Sequence, residues 1–175
     1  WNLRDRHMAD TLDRLMQFHG PDAKAIVWEH NTHIGDARAT DMAREGMVNV
    51  GQLLREQHAA EDVYAIGFGT HRGTVVAARA WGEPLEIMAV PRAQEGSWED
   101  LMHRAGGGDK WLLLGPENPH FQAEVGHRAI GVVYHPEHEH MGNYVPSKMA
   151  QRYDAFVYVE QTQALQALEV EPVFQ

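Results

Sequence analysis

The sequence contains no cysteine. That excludes disulfides, thiolate metal sites and a cysteine nucleophile. Serine is nearly absent too: Ser97 and Ser147 are the whole complement, and neither sits in a Gly-x-Ser-x-Gly elbow. A serine hydrolase is therefore disfavoured, and any hydrolysis here would use activated water. No apolar run approaches the roughly 18–20 residues needed to cross a membrane. No charged-then-apolar leader opens the chain. Basic residues are few and scattered, 15 Lys+Arg against 25 Asp+Glu, for a formal net charge of −10. A nucleic-acid binder shows a basic patch, and an anionic membrane surface asks for the same. Neither is an expected partner, and a cysteine-free chain of this kind is expected in the cytoplasm.

Two further motifs are missing. Gly67-Phe68-Gly69-Thr70-His71-Arg72-Gly73 is glycine-rich, but Arg72 stands where a dinucleotide fingerprint needs its third glycine. No Gly-Lys-Ser/Thr closes a phosphate loop. The segment reads either as an ordinary strand-to-loop turn or as backbone approaching a ligand lined by Thr70, His71 and Arg72.

What is present is enough material for one domain: 175 residues, 43% of them apolar. Hydrophobic periodicity predicts an amphipathic helix over 4–19 (Met8, Leu12, Leu15, Met16), ended by Gly20-Pro21. A second follows over 47–58. Strands are expected over 24–28, 63–68, 111–114, 129–134 and 155–159, with 85–90 an edge strand between Pro84 and Pro91. Residues 74–80 fit strand or helix. Ser97, with Asp100 three positions on, is a plausible cap for a helix to about Arg104. Ser147 is read as the cap of a short helix over 148–153, and 162–168 as a terminal helix. The alternation predicts an α/β fold with a largely parallel sheet.

Histidine is abundant, with 12 residues. The densest chemistry lies in Glu29-His30-Asn31-Thr32-His33-Ile34-Gly35-Asp36-Ala37-Arg38, just past the apolar run Ala25-Ile26-Val27-Trp28. In open α/β sheets ligands bind at strand carboxyl ends. If Asn31-Thr32 turns the chain, His30 and His33 converge. They could then bind a metal with Asp36, act as an acid/base pair, or simply satisfy backbone groups. His135-Pro136-Glu137-His138-Glu139-His140 has the composition of a metal tract, but Pro136 and the alternating carboxylates also suit a solvated loop.

Taken in order, Trp1-Asn2-Leu3-Arg4-Asp5-Arg6-His7-Met8-Ala9, then Trp28-Glu29-His30-Asn31-Thr32-His33-Ile34-Gly35-Asp36, then Gly67-Phe68-Gly69-Thr70 and Gly142-Asn143-Tyr144 resemble the erythromycin esterase family. The similarity extends to Tyr153-Asp154-Ala155-Phe156. It implies a three-layer α/β/α fold and attack of activated water on a carboxylic ester, in known members a macrolide lactone. Arg4, His30 and His33 would line the catalytic cleft. Asp5, Asn31, Asp36, Arg38, Thr70, Asn143 and Tyr144 are the expected substrate contacts. No cofactor is implied; a divalent metal stays open, with His30, His33 and Asp36 as its ligands. The resemblance further implies that 1–175 is the carboxyl-terminal part of a member, an incomplete domain. The histidine serving as general base, with its glutamates, would then lie upstream of Trp1, in the amino-terminal half that is this segment's partner.

Overall fold

The computed structural model describes residues 1–166. Its central feature is a four-stranded sheet in the order β2-β1-β6-β3, built from β1 (Ile66–Ala77), β2 (Glu86–Val90), β3 (Lys110–Leu113) and β6 (Ala155–Thr162). A hairpin of β4 (Glu124–Arg128) and β5 (Tyr144–Lys148) stands beside it. The helices are α1 (Asn2–His19), α2 (Asn31–Ile34), α3 (Val50–Gln57), α4 (Trp98–Arg104) and α5 (Met149–Arg152). The class is α/β, as the alternation predicts. The sheet is mixed rather than mostly parallel: β1 runs parallel to β6 but antiparallel to β2, and β3 is antiparallel to β6. No helix among the described residues is long and apolar enough to cross a membrane.

β1 is longer than expected because its glycines do not break it. Gly67 and Gly69 face Tyr153 and Phe156, and a Cβ there would lie 2.8 Å from the Tyr153 ring and 2.7 Å from the Phe156 ring. They make room for aromatic side chains of the core, not for a ligand's approach. On that face Ala65, Trp98, Met102, Leu114, Met149, Tyr153, Phe156 and Tyr158 form the main buried cluster, with α4 laid across it. A smaller cluster of Ala77, Met88, Val90 and Tyr134 fills the β1–β2 end. On the other face, register places Phe68, Val157 and Trp111 in one row, with Leu113 beside them. Phe68, Trp111 and Leu113 are exposed.

Two expected strands fail. Residues 24–28 carry no strand, and Ile26 and Trp28 are largely exposed. Residues 129–134 make one isolated bridge, Ala78 with Val133. The strand in that region is β4, which carries buried His127 and Arg128 and so shows no apolar run. Ser147 is not a helix cap. It lies buried in β5, and its Oγ donates to the Val145 carbonyl. Thr162 ends β6, and 163–166 have no regular structure; the rest of that expected helix lies outside the described residues.

Candidate functional site

The first turn of α1 and the short helix α2 build the site together. Trp1 Nε1 donates to the Val48 carbonyl at 2.9 Å, which fixes the start of α1. Asp5, one turn in, is fully buried and accepts from His33 Nδ1 at 2.8 Å. Ionised aspartate only accepts, so Nδ1 carries the proton and Nε2 presents its lone pair. Arg4 Nη2 lies 3.1 Å from that Nε2. The Trp1 ring stacks on the His33 ring, centroids 4.4 Å apart, and the Arg4 guanidinium sits over Trp1 at 4.9 Å. The result is a carboxylate–imidazole pair, oriented and roofed, with a cation at its open end.

Two carboxylate oxygens at this site, Asp5 Oδ1 and Glu29 Oε2, are buried without a hydrogen-bond partner. Buried acceptors are normally satisfied, so these two stand out; the nearest charge to Asp5 Oδ1 is Arg4 Nε at 3.8 Å. Burial, reinforced by the Asp5 charge, raises the Glu29 carboxyl above its usual range, with His33 and Arg4 pulling the other way. Glu29 can therefore hold a proton where an ordinary glutamate would not.

His30 is placed differently. Its Nε2 lies 2.9 Å from the Ile130 carbonyl, which can only accept, so Nε2 carries the proton. Its Nδ1 accepts from the Thr32 backbone N–H and from Thr32 Oγ1, capping α2. Both nitrogens are engaged. Burial holds its imidazole below the ordinary histidine range, despite the Ile130 contact. Asn31 also turns inward. Its amide clamps the Phe68 backbone on both sides and reaches His127 Nε2 at 3.3 Å.

That link leads to a fully buried pair absent from the expected site residues. His127 Nδ1 donates to Glu99 Oε1 at 2.5 Å. Burial keeps His127 neutral, below its usual range, against the pull of Glu99. Arg152 lies close by, fully buried, with its guanidinium on Ser147 Oγ and the Asn31 carbonyl; among the described residues it has no carboxylate partner. Its charge adds to what disfavours protonation of His30 and His127.

The remaining expected residues lie elsewhere. Asp36 is buried and holds Arg38 through both its oxygens, with Arg55 at 3.5 Å. Asp36 and Arg38 line a separate groove of about 410 Å³ with Arg55 and Asp154, which none of Arg4, His30 and His33 borders. His30, His33 and Asp36 do not converge as metal ligands. The one group of three with suitable spacing among the described residues is His71, His103 and Glu160. Thr70, Asn143 and Tyr144 belong to the framework around Arg128. This buried arginine pairs with Glu139 at 2.7 Å and also donates to Tyr144 Oη and to the Thr70, His71 and Pro91 carbonyls. Asn143 ties itself to the Ala129 backbone. Glu139 is the buried member of the histidine-rich tract; His135, His138 and His140 are exposed.

Comparison with known proteins fits this picture. A crystal structure described as a succinoglycan biosynthesis protein superposes with a TM-score of 0.73 at 19% identity, covering 93% of this chain and 38% of its own. A Bacillus cereus protein gives 0.62 at 16% identity, over 79% of this chain and 33% of its own. An erythromycin esterase, EreC, in its open conformation gives 0.62 at 22% identity, over 91% of this chain and 37% of its own. The chain thus spans well under half the length of each, and the likeness establishes the fold. The erythromycin esterase family model matches residues 1–162, and over that span the chain belongs to the erythromycin esterase family.

Proposed function

We propose that the whole protein of which this chain is part hydrolyses a carboxylic ester, a macrolide lactone being the family's known case, by attack of activated water. The observation that carries this reading is the Asp5–His33–Arg4 arrangement, with a buried carboxylate on Nδ1 and a guanidinium at Nε2. Asp5 fixes the tautomer and orientation of His33 and stabilises the imidazolium once it forms. Arg4, half-exposed on the helix start, supplies positive charge to the developing oxyanion. His33 Nε2, when Arg4 shifts toward substrate, accepts or relays a proton. Glu29 is a proton source for the departing alcohol. His30 positions α2, since both its ring nitrogens already have partners. The residue that first deprotonates water is assigned to the amino-terminal half of the same domain, outside this chain.

The test uses full-length protein, a macrolide lactone and a panel of simple carboxylic esters, with product mass as readout. His33→Ala is expected to lower kcat/KM by about 10²–10⁴-fold and, because it strands the buried Asp5 carboxylate, to lower the melting temperature too. His30→Ala should lower the melting temperature as well as the rate. Undiminished turnover by His33→Ala removes its role; failure of the wild type on every ester removes the reading itself.

A further inference from the structure

Away from Asp5 and His33, three ligand-type side chains meet at the far end of the sheet. Thr70 pairs with Val159 and Arg72 with Gln161, so His71 and Glu160 stand side by side on the two parallel strands. His103 reaches them from the last turn of α4, whose core face packs on the same strands. One ligand atom from each of the three lies within 4.8 Å of the others. His103 Nδ1 is 2.7 Å from Glu160 Oε1, and the His71 and His103 rings stack with centroids 3.9 Å apart. His71 is buried, and its Nδ1 has no hydrogen-bond partner. A buried polar atom left unpaired costs about 1–3 kcal/mol, and the stack on His103 does not satisfy it.

We propose that His71, His103 and Glu160 form a divalent cation site of the zinc class, joining α4 to β1 and β6. Two imidazoles and one carboxylate, with no thiolate, form a set that suits zinc and its first-row neighbours rather than magnesium or calcium. His71 offers a lone pair on a rigid strand. Glu160 is steadied by the Tyr158 hydroxyl at 2.6 Å on its other oxygen, the kind of outer contact that orients a ligand. His103 and Glu160 are partly exposed, which gives the ion an entry path and leaves room for water in the fourth position. Stacked rings point their lone pairs alongside one another, so binding requires His103 to tilt and release Glu160. Bonds of about 2.0–2.1 Å in a tetrahedron set ligand atoms about 3.3 Å apart, so the 2.7 Å His103–Glu160 contact opens while the wider separations, within 4.8 Å, close. His103 lies in the last turn of α4 and is partly exposed, so the tilt gives up its stack on His71 and its bond to Glu160 but moves no apolar core side chain.

This site does not depend on ester hydrolysis, and its test is binding. Full-length protein is stripped with chelator and titrated calorimetrically with zinc chloride; cobalt(II) serves as a spectroscopic probe of tetrahedral coordination. Wild type is expected to take up zinc, with a rise in melting temperature and with affinity that falls as pH drops through the imidazole range. Hydrogen-bond partners of ligands are alone worth about 10–100-fold in affinity; His103→Ala and Glu160→Gln each remove a ligand and should lower affinity about 100-fold or more. His103→Ala changes a surface side chain, so the result does not hinge on the folding of a His71 variant. Absence of zinc uptake by the wild type, or equal uptake by both variants, overturns the site.

Discussion

At the scale of single residues, Asp5 decides how His33 can act, since a buried carboxylate on Nδ1 leaves the lone pair on Nε2. Arg4, Asp5 and His33 meet although 28 positions separate Asp5 from His33, and the motifs on either side of the gap pointed to all three. Glu29 sat inside the same stretch without a role, because spacing says nothing of burial. Asn31, Asp36, Thr70 and Tyr144 are equally prominent in the sequence and turn out to hold the framework. A short polar side chain next to a catalytic one serves backbone or substrate with no difference in residue type. Glu29 supplies a prediction that only its surroundings allow. Its folded carboxyl pKa is raised by burial first, so the protonated form is the one the fold favours. Its contribution to stability is therefore complete below the unfolded value of about 4.3 and is lost as pH rises through the folded value. Glu29→Gln mimics the protonated form. It should melt with the wild type near pH 4 and above it near pH 7. Thermal melts at the two pH values check this; a gap that is constant with pH, or reversed at pH 7, contradicts it.

At the scale of elements, four expected strands are found as β1, β2, β3 and β6, while 24–28 and 129–134 are not strands; of the two expected serine caps, Ser97 holds and Ser147 does not. Ser97 Oγ accepts from the Asp100 N–H at 3.3 Å, and Asp100 Oδ2 in turn accepts from the Gly96 N–H at 2.8 Å. This reciprocal cap follows from two residue types at a fixed offset, which is why it could be read from the chain. Strand positions rest on hydropathy, which finds the four strands of the main sheet and misleads at two places, in opposite directions. The apolar run over 24–28 lies exposed with no neighbour to pair with, while β4 hides a buried His127 and Arg128 behind polar letters. Burying those two groups needed Glu99 and Glu139 from distant segments, which no local window contains. The cap matters beyond α4 itself, since that helix carries Glu99 for His127 and His103 for Glu160. Ser97→Ala is expected to cost about 1 kcal/mol, read as a lower denaturant midpoint at unchanged slope. A midpoint equal to the wild type would show that Asp100 holds the helix start alone.

For the whole molecule, the question is what lies against the open face of the sheet. One face is packed by α4, the hairpin and the aromatic residues of β6. The other presents Phe68, Trp111 and Leu113, and Trp28 leans toward Phe68 with ring centroids 6.0 Å apart. A single contiguous apolar row of this kind on a sheet marks a contact surface more often than a free one. The three similar structures are each more than twice as long as this chain, which covers 33–38% of them. We expect the rest of the same polypeptide to lie on this row. Trp111→Ala in the full-length protein separates the two possibilities by magnitude. A tryptophan truncated in a buried contact costs about 3–5 kcal/mol, whereas an exposed substitution stays within about 0.5 kcal/mol. The larger loss, measured by chemical denaturation of the full-length protein, means that the face is covered. A loss near zero means that it stays open to solvent.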